Sequence, residues 1–232
     1  MRMFFCKQIS QIVLITFSGM DGAGKSTQIS LLCNYLSSKG KKSSVFWSRG
    51  GYTFGFELLK KMFRFFFNKK LPPKGKNSKR TKIISNPLIA RTWLNLAILD
   101  LIALYSFIRI KSFLGYYIIC DRYVEDTRLD FIINFPSITF QNYLSWKLLE
   151  FIKSKPDFSF LLMVSPALSV SRGLEKDEPY PDDLVTLKKR YNLYSDPSIF
   201  SPKQYKILDC SVKKEKVSKS ILTSVFSKSK SQ

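Results

Sequence analysis

Residues Ile12 to Gln28 read IVLITFSGMDGAGKSTQ, an apolar run of strand-forming residues that opens into a glycine-rich loop. Gly19, Gly24, Lys25 and Ser26 complete the pattern G-x-x-x-x-G-K-[ST]. A backbone that must curl tightly enough to aim several N–H groups at phosphate oxygens tolerates only residues with little or no side chain. Gly22, Ala23 and Gly24 supply that stretch. Lys25 then places a point charge on the outer phosphates, Ser26 offers its hydroxyl to Mg²⁺, and the following helix turns its positive end toward the anion. Gly19, Asp21, Gly22, Ala23, Gly24, Lys25, Ser26 and Thr27 are therefore the candidates for binding a nucleoside triphosphate. Four matched positions arise by chance in roughly one chain in a hundred of this length. The context lowers that figure, because the motif needs a strand before it and a helix after it, and Gln28 to Ser38 has helical apolar spacing.

Outward from this loop, apolar strand-like runs alternate with helical ones, the signature of a parallel sheet covered by helices on both faces. Five strands are expected, at Gln11 to Ser18, Ser44 to Ser48, Tyr116 to Cys120, Phe158 to Val164 and Tyr205 to Leu208. Helices are expected near Gln28 to Ser38, Phe54 to Phe67, Pro87 to Lys111, Gln141 to Lys153, Ala167 to Glu175, Asp183 to Tyr194 and Lys214 to Ser227. The fold class is thus α/β, a P-loop NTPase fold with a five-stranded parallel sheet. Residues 1–232 are read as one domain with a flexible basic loop at 68–82, a lid at 172–183 and a disordered basic tail at 228–232.

With 232 residues and 45% hydrophobic content the chain can bury a full core. It has no histidine, which excludes His-based triads, His-ligated metals and imidazole bases, so acid–base work falls to carboxylates. Cys6, Cys33, Cys120 and Cys210 are far apart with no C-x-x-C pair, and read as buried free thiols in a reducing cytosol. The N-terminal apolar run is interrupted by Lys7 and Gln8, too early for a signal peptide. Thr92 to Ile108 is the most apolar stretch, but Asp100 divides it and Arg109 ends it, so it reads as a core helix. The expected location is cytoplasmic.

The net charge of +21 is concentrated. Lys60 to Lys82 carries ten Lys or Arg and no acid, and Lys203 to Gln232 carries eight Lys against Asp209 and Glu215. Such runs are most often solvated or disordered faces. Weak association with an anionic membrane is the next reading, favoured slightly by the helix-like FGFELLKKMFRFFF at Phe54 to Phe67, and specific nucleic-acid binding is not expected.

In an open parallel sheet, ligands gather at the carboxyl ends of the strands. Those positions here are Arg49-Gly50-Gly51-Tyr52, Asp121-Arg122-Tyr123 and Asp209-Cys210-Ser211. An acid at a strand end in a P-loop protein commonly orders Mg²⁺ and its waters, which assigns Asp121 to the metal together with Ser26. Arg49 and Arg122 then face a second anion.

With those residues in view, the chain resembles the nucleoside monophosphate kinases, and within them thymidylate kinase. The resemblance rests on G-x-D-G-x-G-K-S-T-Q at Gly19 to Gln28, on Arg49 in place of the Arg of an R-E-P turn, on D-R-Y at Asp121 to Tyr123, on Pro156-Asp157 before a strand, and on Leu208 to Ser211. It implies phosphoryl transfer from MgATP to a nucleoside monophosphate, with Lys25 and Mg²⁺ on Ser26 holding the donor. It also implies that Arg49, Arg122 and Tyr123 hold the acceptor and that Asp21 contacts its sugar. Because the loop has Gly22-Ala23 and no Arg, the transition-state cation is expected from the lid, with Arg172 the candidate and Lys176 a weaker substitute. Lys25, Arg122 and Arg172 form the expected catalytic set.

The acceptor side departs from the family. Leu101 stands after Asp100, where the family carries a base-reading arginine. After D-R-Y, two serines and A-Y-Q give way to Val124-Glu125-Asp126-Thr127-Arg128-Leu129-Asp130-Phe131. The R-E-P-G-G-T turn is Arg49-Gly50-Gly51-Tyr52-Thr53. Three readings stay open: a kinase of dTMP or a related nucleoside monophosphate; a P-loop kinase acting on a sugar or lipid precursor, for which Glu125, Asp126 and Asp130 would suit hydroxyls; and a nucleotide-dependent binding protein at an anionic surface. The resemblance also raises a homodimer through the long helices, although a buried monomer core would give helix Pro87 to Lys111 the same apolar character.

Overall fold

In the computed structural model, which describes residues 13–48, 86–112, 115–175 and 182–227, five strands form one all-parallel sheet in the order β2-β3-β1-β4-β5. They are β1 Val13–Gly19, β2 Ser43–Trp47, β3 Tyr117–Asp121, β4 Phe158–Met163 and β5 Tyr205–Asp209. Each lies within two residues of its expected place. Seven α-helices accompany them among the described residues: α1 Lys25–Ser38, α2 Pro87–Ser112, α3 Val124–Asn134, α4 Leu144–Ile152, α5 Pro166–Glu175, α6 Leu184–Tyr194 and α7 Lys214–Ser227. The arrangement is that of a P-loop NTPase.

Alternation along the strands divides the core between the two faces of the sheet. Ile15, Phe17 and Ile119 join one buried cluster with Leu32, Leu187 and Ile221. Leu14, Ile118 and Cys120 join the other with Leu94, Leu101 and Trp146. A sheet filled on both faces needs strands without polar alternation, which is why VLITF and YIIC read so clearly.

The single helix expected at Gln141 to Lys153 is divided, with a 3₁₀ turn at Phe140–Asn142 preceding α4. Helix α3 falls in a segment where no helix was expected. Its buried positions are Val124, Leu129 and Phe131 interleaved with Asp126, Thr127 and Asp130, and the acids among them break the apolar period. The long helix α2 buries Leu94, Ile98, Leu101 and Tyr105, while Leu88, Leu99, Phe107 and Ile110 face outward. It is therefore a core helix on one side only. Among the described residues it is the one helix long and apolar enough by composition to cross a bilayer, with 39% of its most apolar window buried. At its end, Lys111 Nζ sits 5.3 to 5.9 Å from the ring centres of Phe46, Tyr116 and Phe107, which ties α2 to the edge strand.

Of the cysteines, Cys120 and Cys210 are buried free thiols and Cys33 is a half-buried one. Cys6, the helix expected at Phe54 to Phe67, the basic loop 68–82 and the tail 228–232 lie outside the described residues.

Candidate active site

Parallel registry sets the site. Phe17 of β1 pairs with Asp121 of β3, and Ser18 and Gly19 pair with Leu161 and Leu162 of β4. Two hydrogen bonds close this corner: Met20 N–H donates to Leu162 O at 3.1 Å and Arg122 N–H to Phe17 O at 2.8 Å. Gly19 sits so close to β4 that a Cβ would lie 2.0 Å from Leu162 O. Gly22 and Gly24 have φ of +73° and +83°, conformations in which a side chain is strained. Gly24 is also the N-cap of α1, and the first turn of α1 contains no acid. The helix thus keeps its N-terminal positive potential for an external anion.

Lys25 is buried beneath the loop, and its Nζ donates to Gly19 O at 3.0 Å and Met20 O at 2.8 Å. Burial, with the Arg122 charge second, pushes its ammonium pKa down, while Asp21 and Asp121 act the other way. Ser26 and Thr27 are exposed at the start of α1. Asp121 ends β3, and its Oδ1 is buried without a hydrogen-bond partner among the described residues. Burial pushes its carboxyl pKa up, against the pull of Lys25 and Arg122. An orphaned carboxylate oxygen and an exposed serine hydroxyl are donors of the kind a hard cation takes, since it prefers oxygen ligands and keeps several waters. Among the described residues there is no cluster of three or more acids or thiols to make an all-protein metal cage.

Arg122 is the strained residue of the site, a non-glycine at φ +73°. Its guanidinium bonds Asp21 Oδ1, lies 3.4 Å from Asp126 Oδ1, and donates to the Tyr194 hydroxyl at 3.0 Å. Burial opposes its charge, but Tyr194, Asp21 and Asp126 hold its pKa up. Asp126, 1% exposed, also accepts from Ser18 Oγ at 2.5 Å, Tyr194 OH at 2.8 Å and Tyr123 N–H at 3.1 Å. The last contact is the N-terminal cap of α3. Asp21 spans the two cations, lying 3.7 Å from Lys25 Nζ on the other side.

The acids beyond D-R-Y are all held by internal partners. Asp130 is 2.6 Å from Arg190 Nη1, and Arg190 Nε is 2.6 Å from Asp182. Glu125 takes Lys153 at 2.9 Å and the Tyr205 hydroxyl at 3.0 Å. These carboxylates stabilise packing of α3, which removes the reason for assigning them to acceptor hydroxyls.

Two further expected site residues have internal partners. Tyr123, expected at the acceptor, is 1% exposed and stands 4.9 Å from Tyr105, ring centre to ring centre. Its hydroxyl donates to Ser154 O at 2.7 Å, so it is a core residue at the head of α3. Arg172, expected on a lid, belongs to α5, and its two Nη groups donate at 3.0 Å to Gly22 O and Cys210 O. One turn earlier Ser169 Oγ donates to Asp21 O at 2.6 Å. Together the pair clamps α5 to the phosphate loop. Residues 176–181 of the expected lid, with Lys176, lie outside the described residues, as does Arg49. Leu101 is fully buried in the core, so it does not stand in for a base-reading group.

Beside the clamp is a cavity of about 260 Å³ lined by Gly22, Ala23, Gly24, Thr27, Gln28, Arg172, Glu175, Cys210, Val212, Lys214 and Val217. It continues the phosphate loop toward the end of β5.

No protein-family model matches the chain. Over 43 residues it is 51% identical to thymidylate kinase of Thermosipho africanus, a stretch that is 18% of this chain and 21% of that protein. The match supports a kinase relationship. The matched stretch spans about a fifth of the length of that relative.

Sequence reasoning did not single out Ser18, Ser169 or Tyr194. Nothing local marks them, since each acts through a partner more than a hundred residues away or, for Tyr194, 68 and 72 residues away. Asp126 was noted as a departure from the family, and that departure was the available signal for the network.

Proposed function

We propose that this protein is an ATP-dependent nucleoside monophosphate kinase, with dTMP the first acceptor to try. The observation that carries the reading is the phosphate loop joined to an orphaned acid: glycines at positive φ and a buried Lys25 follow β1, whose Phe17 pairs in register with Asp121 at the end of β3. The short similarity to thymidylate kinase supports it.

Lys25, Ser26 and Asp121 would hold MgATP, with the backbone N–H groups of residues 22–25 around its phosphates. The nucleotide supplies the transferable phosphoryl group. The small cavity lined by Arg172 and Val212, with both polar and apolar side chains around it, is where the nucleotide's heterocycle would sit. Arg172 would then position the nucleotide through the loop carbonyl it holds. Arg122 supplies a buried cation beside Asp21, with Asp126 and Tyr194 holding the other side of its guanidinium. Asp21, already bridging Lys25 and Arg122, can exchange Arg122 for an acceptor hydroxyl as the acceptor's phosphate takes the guanidinium. Catalysis of this kind is positioning and charge neutralisation.

The test is ADP release from MgATP across a panel of nucleoside monophosphates, with Lys25→Ala as the blank. Selective turnover of one nucleotide supports the reading. ATP binding without turnover of any member of the panel would reject it and direct attention to other acceptors.

A further inference from the structure

On the side of α3 away from Arg122 lies a second cavity, about 560 Å³, between α3, α4 and the segment leading into β5. Arg128, Lys147, Lys153, Trp146, Gln141 and Gln204 are among the side chains that line it. Its volume is within the range of small-molecule sites.

Its charges are unequally satisfied. Lys153 stands between two acids, 2.9 Å from Glu125 and 2.6 Å from Glu150, so that trio is closed on itself. Arg128 and Lys147 are the other two cations in the wall. Arg128 Nε is buried and has no hydrogen-bond partner among the described residues. The exposed Asp196 accepts from Ser198 N–H at 2.8 Å, and hydrogen bonding from Ser198, with the charge of Arg128 as a lesser cause, holds its carboxyl below the usual range. Arg128 makes no salt bridge among the described residues, and the ligand that best answers a guanidinium in a cavity wall is an oxyanion, which the planar fork receives with two parallel bonds. Lys147, on the exposed side of α4, adds charge at the opening.

We propose that this cavity is a binding site for a small molecule bearing a phosphate or carboxylate group, with Arg128 as its anchor and Lys147 at its mouth. The site is separate from the phosphate loop. It shares α3 with it, since Arg128 lies two residues from Asp126, which holds Arg122.

The chain has three tryptophans, and Trp146 lines this cavity. A variant carrying Trp47→Phe and Trp93→Phe therefore reports on it alone, even if anions also bind the phosphate loop. Inorganic phosphate and citrate are titrated separately, with Trp146 emission as the readout. The expected result is a saturable change whose midpoint weakens about tenfold with Arg128→Met. Lys147→Gln gives a smaller weakening, and Lys188→Gln, which removes an equal charge from α6, gives none. Tighter response to phosphate assigns a phosphorylated ligand, and tighter response to citrate a carboxylate. If Arg128→Met does not fold by circular dichroism, Lys147→Gln against Lys188→Gln decides the question. A response that never saturates, or is equal in all variants, overturns the site.

Discussion

The two sides of the candidate site are built from different materials. On the donor side the chemistry is in the backbone: glycines at positive φ, a helix end without an acid, and carbonyls that hold Lys25. Around Arg122 it is in side chains, with Asp21, Asp126, Tyr194 and Ser18 bonded to one another in a buried network. A backbone site keeps its shape when a side chain is removed and loses only binding. A buried ionic network loses its shape as well, because each member removed leaves a partner unpaired.

This contrast can be broken most directly at Arg122. Arg122→Met leaves Asp126 buried without its cation, and the expected cost is at least about 3 kcal/mol, on the order of 10 °C in melting temperature for a domain of this size. An unchanged melting curve would show that the network does not hold the fold. Lys25→Met is the counterpart on the donor side. Phosphoryl transfer should fall about 10²- to 10³-fold, while the melting temperature of the nucleotide-free protein is no lower than wild type, since burial and Arg122 already disfavour the ammonium. A melting temperature that falls with activity would erase the difference between the two sides.

Tyr194→Phe sharpens the comparison, because it removes one hydroxyl that donates to Asp126 and accepts from Arg122. The expected loss is about 1 to 2 kcal/mol by denaturant titration, with nucleotide affinity unchanged. The smallest effect concerns pH. Burial raises the Asp121 pKa, so between the ordinary carboxylate value and the raised one the folded protein binds more protons than the unfolded chain. Stability therefore falls as pH rises through that window. Asp121→Asn should remove this slope in melting curves of the metal-free protein, and should also weaken the dependence of nucleotide affinity on Mg²⁺. An identical slope in the variant would mean the carboxyl is not the titrating group.

The sequence was legible where one local rule decides the structure. The loop Gly19 to Gln28 dictates both its own conformation and the strand and helix around it, and the central strands β1, β3 and β4 stand out as apolar runs because both faces of the sheet are covered there. Helix α3 was hidden because its buried face mixes Val124, Leu129 and Phe131 with Asp126 and Asp130, which breaks the apolar period. The internal partners of Tyr123 and Arg172 were not legible for a related reason. A motif tells which residues stand at a strand end, but whether a side chain turns to the ligand or to the interior depends on partners such as Ser154 and Cys210, distant in the chain.

The corner where Met20 N–H meets Leu162 O and Arg122 N–H meets Phe17 O also has a consequence in time. Those amides open only when the centre of the sheet opens, so their hydrogens should exchange with solvent among the slowest in the chain. A few residues on, the amides of Gly22 and Gly24 have no strand to protect them, while Ala23 N–H between them donates to Met20 O. The loop thus passes from the slowest to some of the fastest exchange within one turn, and a bound polyphosphate would be recorded as slowing at the fast end alone.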